Sequence, residues 1–323
     1  MRGLLLVAAC WLFVSPRAGI PAQLGEPAGK VQSPPADSSE TLIRSDVRRV
    51  LLDVSVHDPK GGFVKGLTRD AFHVSEDGKP EKILDFAAGD IPVTIGLIVD
   101  ESLSMRPKRA EVLTAAFSFI HESNPADEMF VLNFNETVRH GLPDNELFSG
   151  NVNELRNALF SGKPEGRTAL YDAIVAGLKQ LDMGRQAKKA IVLISDGGDN
   201  VSTHHLADVI KLSEETSATI YTVGIFDEDD PDKNPDLLRK LARISGGVAY
   251  FPQDEKDLIP ICEKIAQEIR NRYTLTYVPA ETNKEQVRRI RVDVSAPNYG
   301  KLDARTRTTY LYIPDNQEAN LSK

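Results

Sequence analysis

Cysteine is nearly absent from this chain of 323 residues, which holds only Cys10 and Cys262. If an amino-terminal leader is removed, Cys10 leaves with it, and one remaining thiol cannot close an internal disulfide. Stability must then come from packing. Cys262 falls in the helical pattern Leu258, Cys262, Ile265, which marks a small core residue and not a reactive thiol. Long basic stretches are also missing. Lys and Arg number 39 against 47 Asp and Glu, and the net charge of -8 is spread along the chain, which argues against a phosphate-binding surface for nucleic acid. After the first residues there is no second hydrophobic segment of the ~20 residues that a membrane span requires. No glycine-rich phosphate loop follows a strand. His204 and His205 are adjacent and cannot share one helix face as a zinc hydrolase needs, so they read as surface. The acidic run from Asp227 to Asp232 lacks the central Gly and terminal Glu of a calcium loop and reads as a solvated loop. Asn135-Glu136-Thr137 and Asn200-Val201-Ser202 match glycosylation sequons, which matter only in a eukaryotic source.

What is present begins with a leader. Arg2, an apolar run from Leu4 to Val14, Pro16 and the small residues Ala18, Gly19 and Ala22 have the layout of a secretory signal, expected over residues 1–22. Val7-Ala8-Ala9-Cys10 resembles a lipoprotein cleavage box, but apolar residues continue past Cys10, so the Cys sits inside the apolar core. The expected location is secreted or periplasmic, in a bacterial envelope. Residues 23–46, rich in Pro, Gly, Ala and Ser without an apolar period, read as a flexible linker, and residues 315–323 as a loose tail.

Between these, periodicity divides the chain into three. Val50, Leu52, Val54 and Val56 alternate with polar residues as in a half-buried strand, and Phe72, Val74, Ile83 and Phe86 flank the Asp77-Gly78 turn, so residues 47–90 are β apart from a single helical turn near Thr68–Phe72. From Ile91 the pattern changes. Apolar runs at Ile91–Val99, Met129–Phe134, Ala190–Ile194, Thr219–Ile225 and Val248–Phe251 alternate with helical patterns near Lys108–His121, Thr168–Leu181, His204–Glu215, Asp236–Ile244 and Glu255–Asn271. That alternation predicts a doubly wound, mostly parallel α/β domain over residues 91–271. After Arg272, Tyr273–Tyr277, Ile290–Val294 and Tyr310–Ile313 return to the β pattern, over residues 272–314. Neither flank holds enough strands to be stable alone. The expectation is one discontinuous β sandwich with the α/β domain inserted; two separate β units are the alternative.

Two buried strands end alike: Ile98-Val99 in Asp100, and Ile194-Ser195 in Asp196. Ligands of open α/β sheets bind at the carboxyl ends of strands near the switch point. Two carboxylates there repel unless something positive lies between them, and a metal ion is the economical answer. Asp100-Glu101-Ser102-Leu103-Ser104 adds two hydroxyls at alternate positions, and Thr168 adds a third where a helix begins. Helix capping accounts for a lone Thr and a polar loop for a lone pair of serines. The three segments together, with both aspartates closing apolar strands, are specific.

In this order the residues resemble the von Willebrand factor type A (VWA) family with an intact metal-ion-dependent adhesion site, whose motif is DxSxS, a later Thr and a later Asp. The resemblance covers about Ile91–Asn271, including Leu193-Ile194-Ser195-Asp196-Gly197-Gly198-Asp199. With its β flanks, and with the stretches Gly66–Phe72 and Ser75–Pro80, the whole arrangement is similar to the acidobacterial VWFA-related group. The resemblance implies Ser102, Ser104 and Thr168 as hydroxyl ligands, with Asp100 and Asp196 supplying negative charge directly or through water. Such oxygen donors suit Mg2+, with Mn2+ as the alternative ion. It also implies an open position for an Asp or Glu carboxylate of a partner protein. Leu103 departs from the small residue frequent at its place and is expected to shape the rim.

The expected function is a non-enzymatic, metal-dependent adhesion module. The competing reading is a Mg2+-dependent phosphotransferase of haloacid-dehalogenase type, with an aspartate nucleophile and an acid two residues on. Ser102 stands where that acid would be and cannot act as one. A structural module whose metal merely pins the loops is the third reading.

Overall fold

The structure is a computed structural model and describes residues 49–226, 231–297 and 299–314. The expected leader, linker and tail, and Asp227–Asp230 of the acidic run, lie outside the described residues. In chain order the first flank supplies β1 (Val50–His57), a 3-10 turn (Arg69–Ala71), β2 (Phe72–Glu76), β3 (Lys79–Glu81) and β4 (Asp85–Ala87). The middle of the chain supplies β5 (Val93–Asp100), a 3-10 helix (Leu103–Lys108), α1 (Arg109–Glu122), β6 (Glu128–Phe134), β7 (Val138–His140), α2 (Val152–Phe160), α3 (Leu170–Asp182), β8 (Lys188–Ser195), α4 (Leu206–Glu215), β9 (Thr219–Gly224), α5 (Pro235–Ser245), β10 (Ala249–Tyr250), a 3-10 turn (Glu255–Asp257) and α6 (Leu258–Arg270). The second flank supplies β11 (Tyr273–Tyr277), β12 (Gln286–Val294), β13 (Asp303–Arg305) and β14 (Thr309–Tyr312).

The central sheet has the order β10-β9-β8-β5-β6-β7. Every pairing is parallel except β6 with β7. All eight residues of β5 are buried, as its unbroken apolar run requires of a strand covered on both faces. Burying Leu97 or Ile98 fully is worth about 2 kcal/mol each against leaving it in water. Helix α3 lies close to this strand because Gly177 has no side chain: a Cβ there would sit 2.5 Å from the Ile98 Cδ1. From β5 the chain moves outward to β6 and β7, then returns to β8 on the other side of β5. The loops leaving β5 and β8 therefore diverge at the switch point, which opens the crevice where Asp100 and Asp196 lie.

The flanks pair with each other as expected. Strand β1 lies antiparallel to β11, with Leu52 opposite Leu275 and Val54 opposite Tyr273. Strand β2 lies antiparallel to β12, with Val74 opposite Val292. The result is two four-stranded antiparallel sheets, β13-β1-β11-β4 and β14-β12-β2-β3, around a common apolar core. Inside it, the buried Glu76 carboxylate accepts hydrogen bonds from Tyr277 and Tyr310 hydroxyls, both 2.7 Å, and from Arg288 at 2.5 Å. Tyr277 belongs to one sheet and the other three residues to its partner, so this network ties the layers together. Arg288 also lies 3.9 Å from the Tyr312 ring centroid.

Four elements differ from the sequence pattern. Helix α2, the antiparallel edge strand β7 and the short strand β13 are not in it, and the loop after Ser102 is a 3-10 helix through Pro107. Cys262 is fully buried on α6, in the core position its spacing predicts, and burial pushes its thiol up to about 12.

Candidate functional site

All five residues singled out above come together at the carboxyl ends of β5 and β8. Asp100 is 2% exposed; its Oδ1 accepts from the Ser102 amide at 2.9 Å and its Oδ2 from the Ser195 hydroxyl at 2.6 Å. Asp196 is 3% exposed; its Oδ1 accepts from the Gly198 amide at 2.9 Å and its Oδ2 from the Ser104 hydroxyl at 2.6 Å. Because Ser104 spends its one proton on Asp196, Ser102 must be the donor in the 3.0 Å contact between the two serine hydroxyls. Ser102, Ser104, Thr168 and Asp196 line one hollow of about 170 Å³, together with Leu103, Gly166, Arg167, Gly198, Asn200 and Asp232. Burial first, and then the Asp196 carboxylate, push Asp100 up to about 7, while hydrogen bonds from Ser102 and Ser195 pull the other way.

Thr168 does not cap the helix. Ala169 is the N-cap of α3 and makes no side-chain cap. The first amides of α3 are instead satisfied from the loop after β8: Tyr171 N donates to Asp199 Oδ1 at 3.1 Å and Asp172 N to Ser202 Oγ at 3.2 Å. The Thr168 amide donates to Asn200 Oδ1 at 3.0 Å, and its hydroxyl makes no hydrogen bond among the described residues. That hydroxyl is thereby left available at the hollow.

Supporting residues emerge that the sequence pattern had not marked. Glu101 is buried, accepts from Arg109 Nε at 2.9 Å, and packs against Gly162, where a Cβ would lie 2.7 Å from its Oε1. Arg109 also donates to the Gly162 carbonyl at 2.6 Å. With Glu165 N bonded to Glu101 O and Leu103 N to Gly166 O, the DxSxS loop and the loop carrying Thr168 are stitched into one unit. Leu103 sits on the rim, 54% exposed. Asn200, noted only as part of a sequon, is structural: besides accepting from Thr168 it donates to Asp232 at 3.1 Å. Asn135 of the other sequon is buried, and its side chain accepts from the Thr137 amide. His204 pairs with Asp172 at 2.7 Å, and His205 caps α4 with Asp208. Among the described residues no group of three or more His, Cys, Asp or Glu could hold a metal, so any ion at this hollow relies on hydroxyls as well as carboxylates.

Comparison with known proteins agrees with this geometry at the level of fold. The von Willebrand factor type A domain family model matches residues 94–264. Solved structures similar to the chain include a von Willebrand factor type A protein from Catenulispora acidiphila, at 14% identity and a TM-score of 0.50, covering 85% of this chain and 76% of that one. An aerotolerance-related membrane protein from Bacteroides fragilis matches at 18% identity and a TM-score of 0.44, covering 55% and 98%. The vWF domain of the type V pili tip protein Mfa5 from Porphyromonas gingivalis matches at 13% identity and a TM-score of 0.44, covering 57% and 96%. No curated protein matches. The family match spans more than half of the chain, over the whole central sheet from β5 and its helices through most of α6: the chain belongs to the von Willebrand factor type A domain family.

Proposed function

We propose that the chain is an exported, non-enzymatic protein-binding module that holds one divalent cation at an adhesion-type site and uses it to engage a carboxylate of a partner protein. The observation that carries this reading is the Thr168 hydroxyl. It has no hydrogen bond among the described residues and lines the same hollow as Ser102, Ser104 and Asp196, so oxygens from three separate loops converge. Ser102, Ser104 and Thr168 would bind the ion through hydroxyls, and Asp100 and Asp196 would balance its charge. Hard oxygen donors of this kind favour Mg2+, with Mn2+ as the alternative. When bound, the ion supplies positive charge at an open position, where an Asp or Glu of the partner fits. Leu103 and Arg167, both exposed on the rim, would contact residues beside that carboxylate.

Ser102, hydrogen-bonded to Ser104, occupies the place where a haloacid-dehalogenase-type enzyme needs an acid. Export rests on the pattern of residues 1–22, and no helix among the described residues is long and apolar enough to cross a membrane. The test is Mg2+ titration of metal-stripped protein by calorimetry, followed by capture of partners from the native envelope fraction with Mg2+ or EDTA. Asp196→Ala and Thr168→Ala should abolish both signals while the fold persists. Capture that survives EDTA would sink the adhesion mechanism, and phosphate-ester hydrolysis lost in Asp100→Asn would replace it with catalysis.

A further inference from the structure

A cavity of about 680 Å³, which shares no lining residue with the hollow at Asp196, lies between α5 with β10 on one wall and β12 with β13 on the other. Its walls carry Arg239, Arg243, Arg291, Arg305 and Arg307 and no Asp or Glu, in a chain whose net charge is -8. Arg307 is buried and committed to the wall: it donates to the carbonyls of Thr309, Thr216, Ser213 and Glu214, capping the end of α4. The other four also line the cleft. The Arg243 side chain makes no hydrogen bond or ion pair among the described residues. Arg239, Arg291 and Arg305 pair with Asp236, Asp293 and Asp303 at 3.0, 2.8 and 3.0 Å, but these are exposed pairs with carboxylates that do not line the cleft. Such pairs hold little energy and yield readily to a better acceptor.

Two further features define the ligand. Strands β10 and β13 are each terminal in their sheets, pairing on one side only, and both contribute to the cavity walls. An open strand edge offers main-chain donors and acceptors to an extended peptide. Val248 and Phe251 add apolar lining, with Arg239 4.5 Å from the Phe251 ring centroid. The cavity volume is in the range that buries a ligand of several residues and far exceeds a single inorganic anion. We propose that this cleft binds an extended acidic peptide segment of a partner protein, its carboxylates taken by Arg243, Arg305, Arg239 and Arg291 and its main chain by an open strand edge. Guanidinium forks match carboxylates in pairs, which favours this ligand. The site is separate from the hollow at Asp196 and requires no metal.

The test is fluorescence anisotropy with a fluorescein-labelled Glu-Val-Glu-Val-Glu-Val-Glu peptide and the full chain, in EDTA, beside its Gln-Val counterpart. Saturable binding of the Glu peptide alone is expected, weakened at least tenfold by Arg243→Glu and by Arg305→Glu, weakened less by Arg243→Lys, which keeps the charge but not the fork, and unchanged in Thr168→Ala. Circular dichroism of each variant confirms the fold. The proposal is overturned by no saturable binding, by equal affinity for the Gln peptide, by indifference to both charge reversals, or by dependence on Mg2+. It is equally overturned if inorganic phosphate displaces the peptide as effectively as unlabelled peptide does, which would mark a small-anion site only.

Discussion

The Ser104 hydroxyl donates a 2.6 Å hydrogen bond to Asp196 Oδ2, joining the loop after β5 to the loop after β8 across the switch point. The same two oxygens are the ones a cation would claim. A Ser104 oxygen that held an ion through a lone pair would keep its proton on Asp196, so the two loops would stay linked with the ion present or absent.

The first prediction concerns the stability that an ion at these oxygens would add. Mg2+ at one hundred times its dissociation constant should stabilise the folded chain by about 2.7 kcal/mol. For a domain of this size that is a rise in Tm of roughly 5–10 °C. Ser104→Ala should shrink the rise and Asp196→Ala should remove it, as read by differential scanning calorimetry with Mg2+ or EDTA. An equal rise in Asp196→Ala would place the ion elsewhere.

Stability should also depend on pH through Asp127. Its carboxylate accepts from the Val93 and Asn124 amides at 2.8 and 3.0 Å, yet burial pushes it up to about 6, with Asp90 adding to the shift and Lys188 opposing it. A carboxyl whose folded value lies above the unfolded ~3.9 contributes stability that is complete below that value and lost as pH rises through 6. Asp127→Asn should therefore gain on the wild type by on the order of 2–3 kcal/mol between pH 4 and pH 7. Urea denaturation of both proteins across that range measures the difference. A constant offset would refute it.

Much of the fold was legible because it rests on local pattern. Strands β5 and β8 announce themselves as unbroken apolar runs, and their terminal aspartates mark the crevice. The sandwich was legible from alternation in both flanks, although register was not. Helix α2 escaped notice because only Leu155, Ala158 and Leu159 of its nine residues are buried, while Val152 and Phe160 at its ends are exposed. Strand β7 is three residues long, with Arg139 and His140 exposed, and shows no alternation. At the site, the convergence of Asp100, Ser102, Ser104, Thr168 and Asp196 could be read from motif order. Their supports could not: Asn200 reaches Thr168 from 32 positions away, and Glu101 meets Arg109 across a 3-10 helix that the sequence pattern does not show.

Glu76 offers a test of the sandwich. Removing it leaves Arg288 buried without its carboxylate and takes the acceptor from Tyr277 and Tyr310. Glu76→Ala should cost about 3–5 kcal/mol. Guanidinium denaturation should show a lower midpoint. A change under ~1 kcal/mol would show that the network contributes little.

Cys262 should be chemically silent in the native state, since it is fully buried and its thiol stays protonated. In a Cys10→Ser variant at pH 8, a thiol-reactive dye should label Cys262 only at the rate of unfolding. Labelling within seconds under native conditions would contradict the packing of α6.

The pairing of β1 with β11 also has a consequence in time. Strand β1 carries Leu52, Val54 and Val56 toward the core, but its partner emerges more than two hundred residues later in the chain. At ribosomal speeds of 5–20 residues per second, that interval is roughly 10–40 s. Throughout it, the nascent chain carries a sticky, unpaired strand while the central domain is still being made. The first flank is thus the segment most dependent on chaperones at birth, and a stop codon just after α6 would strand it permanently.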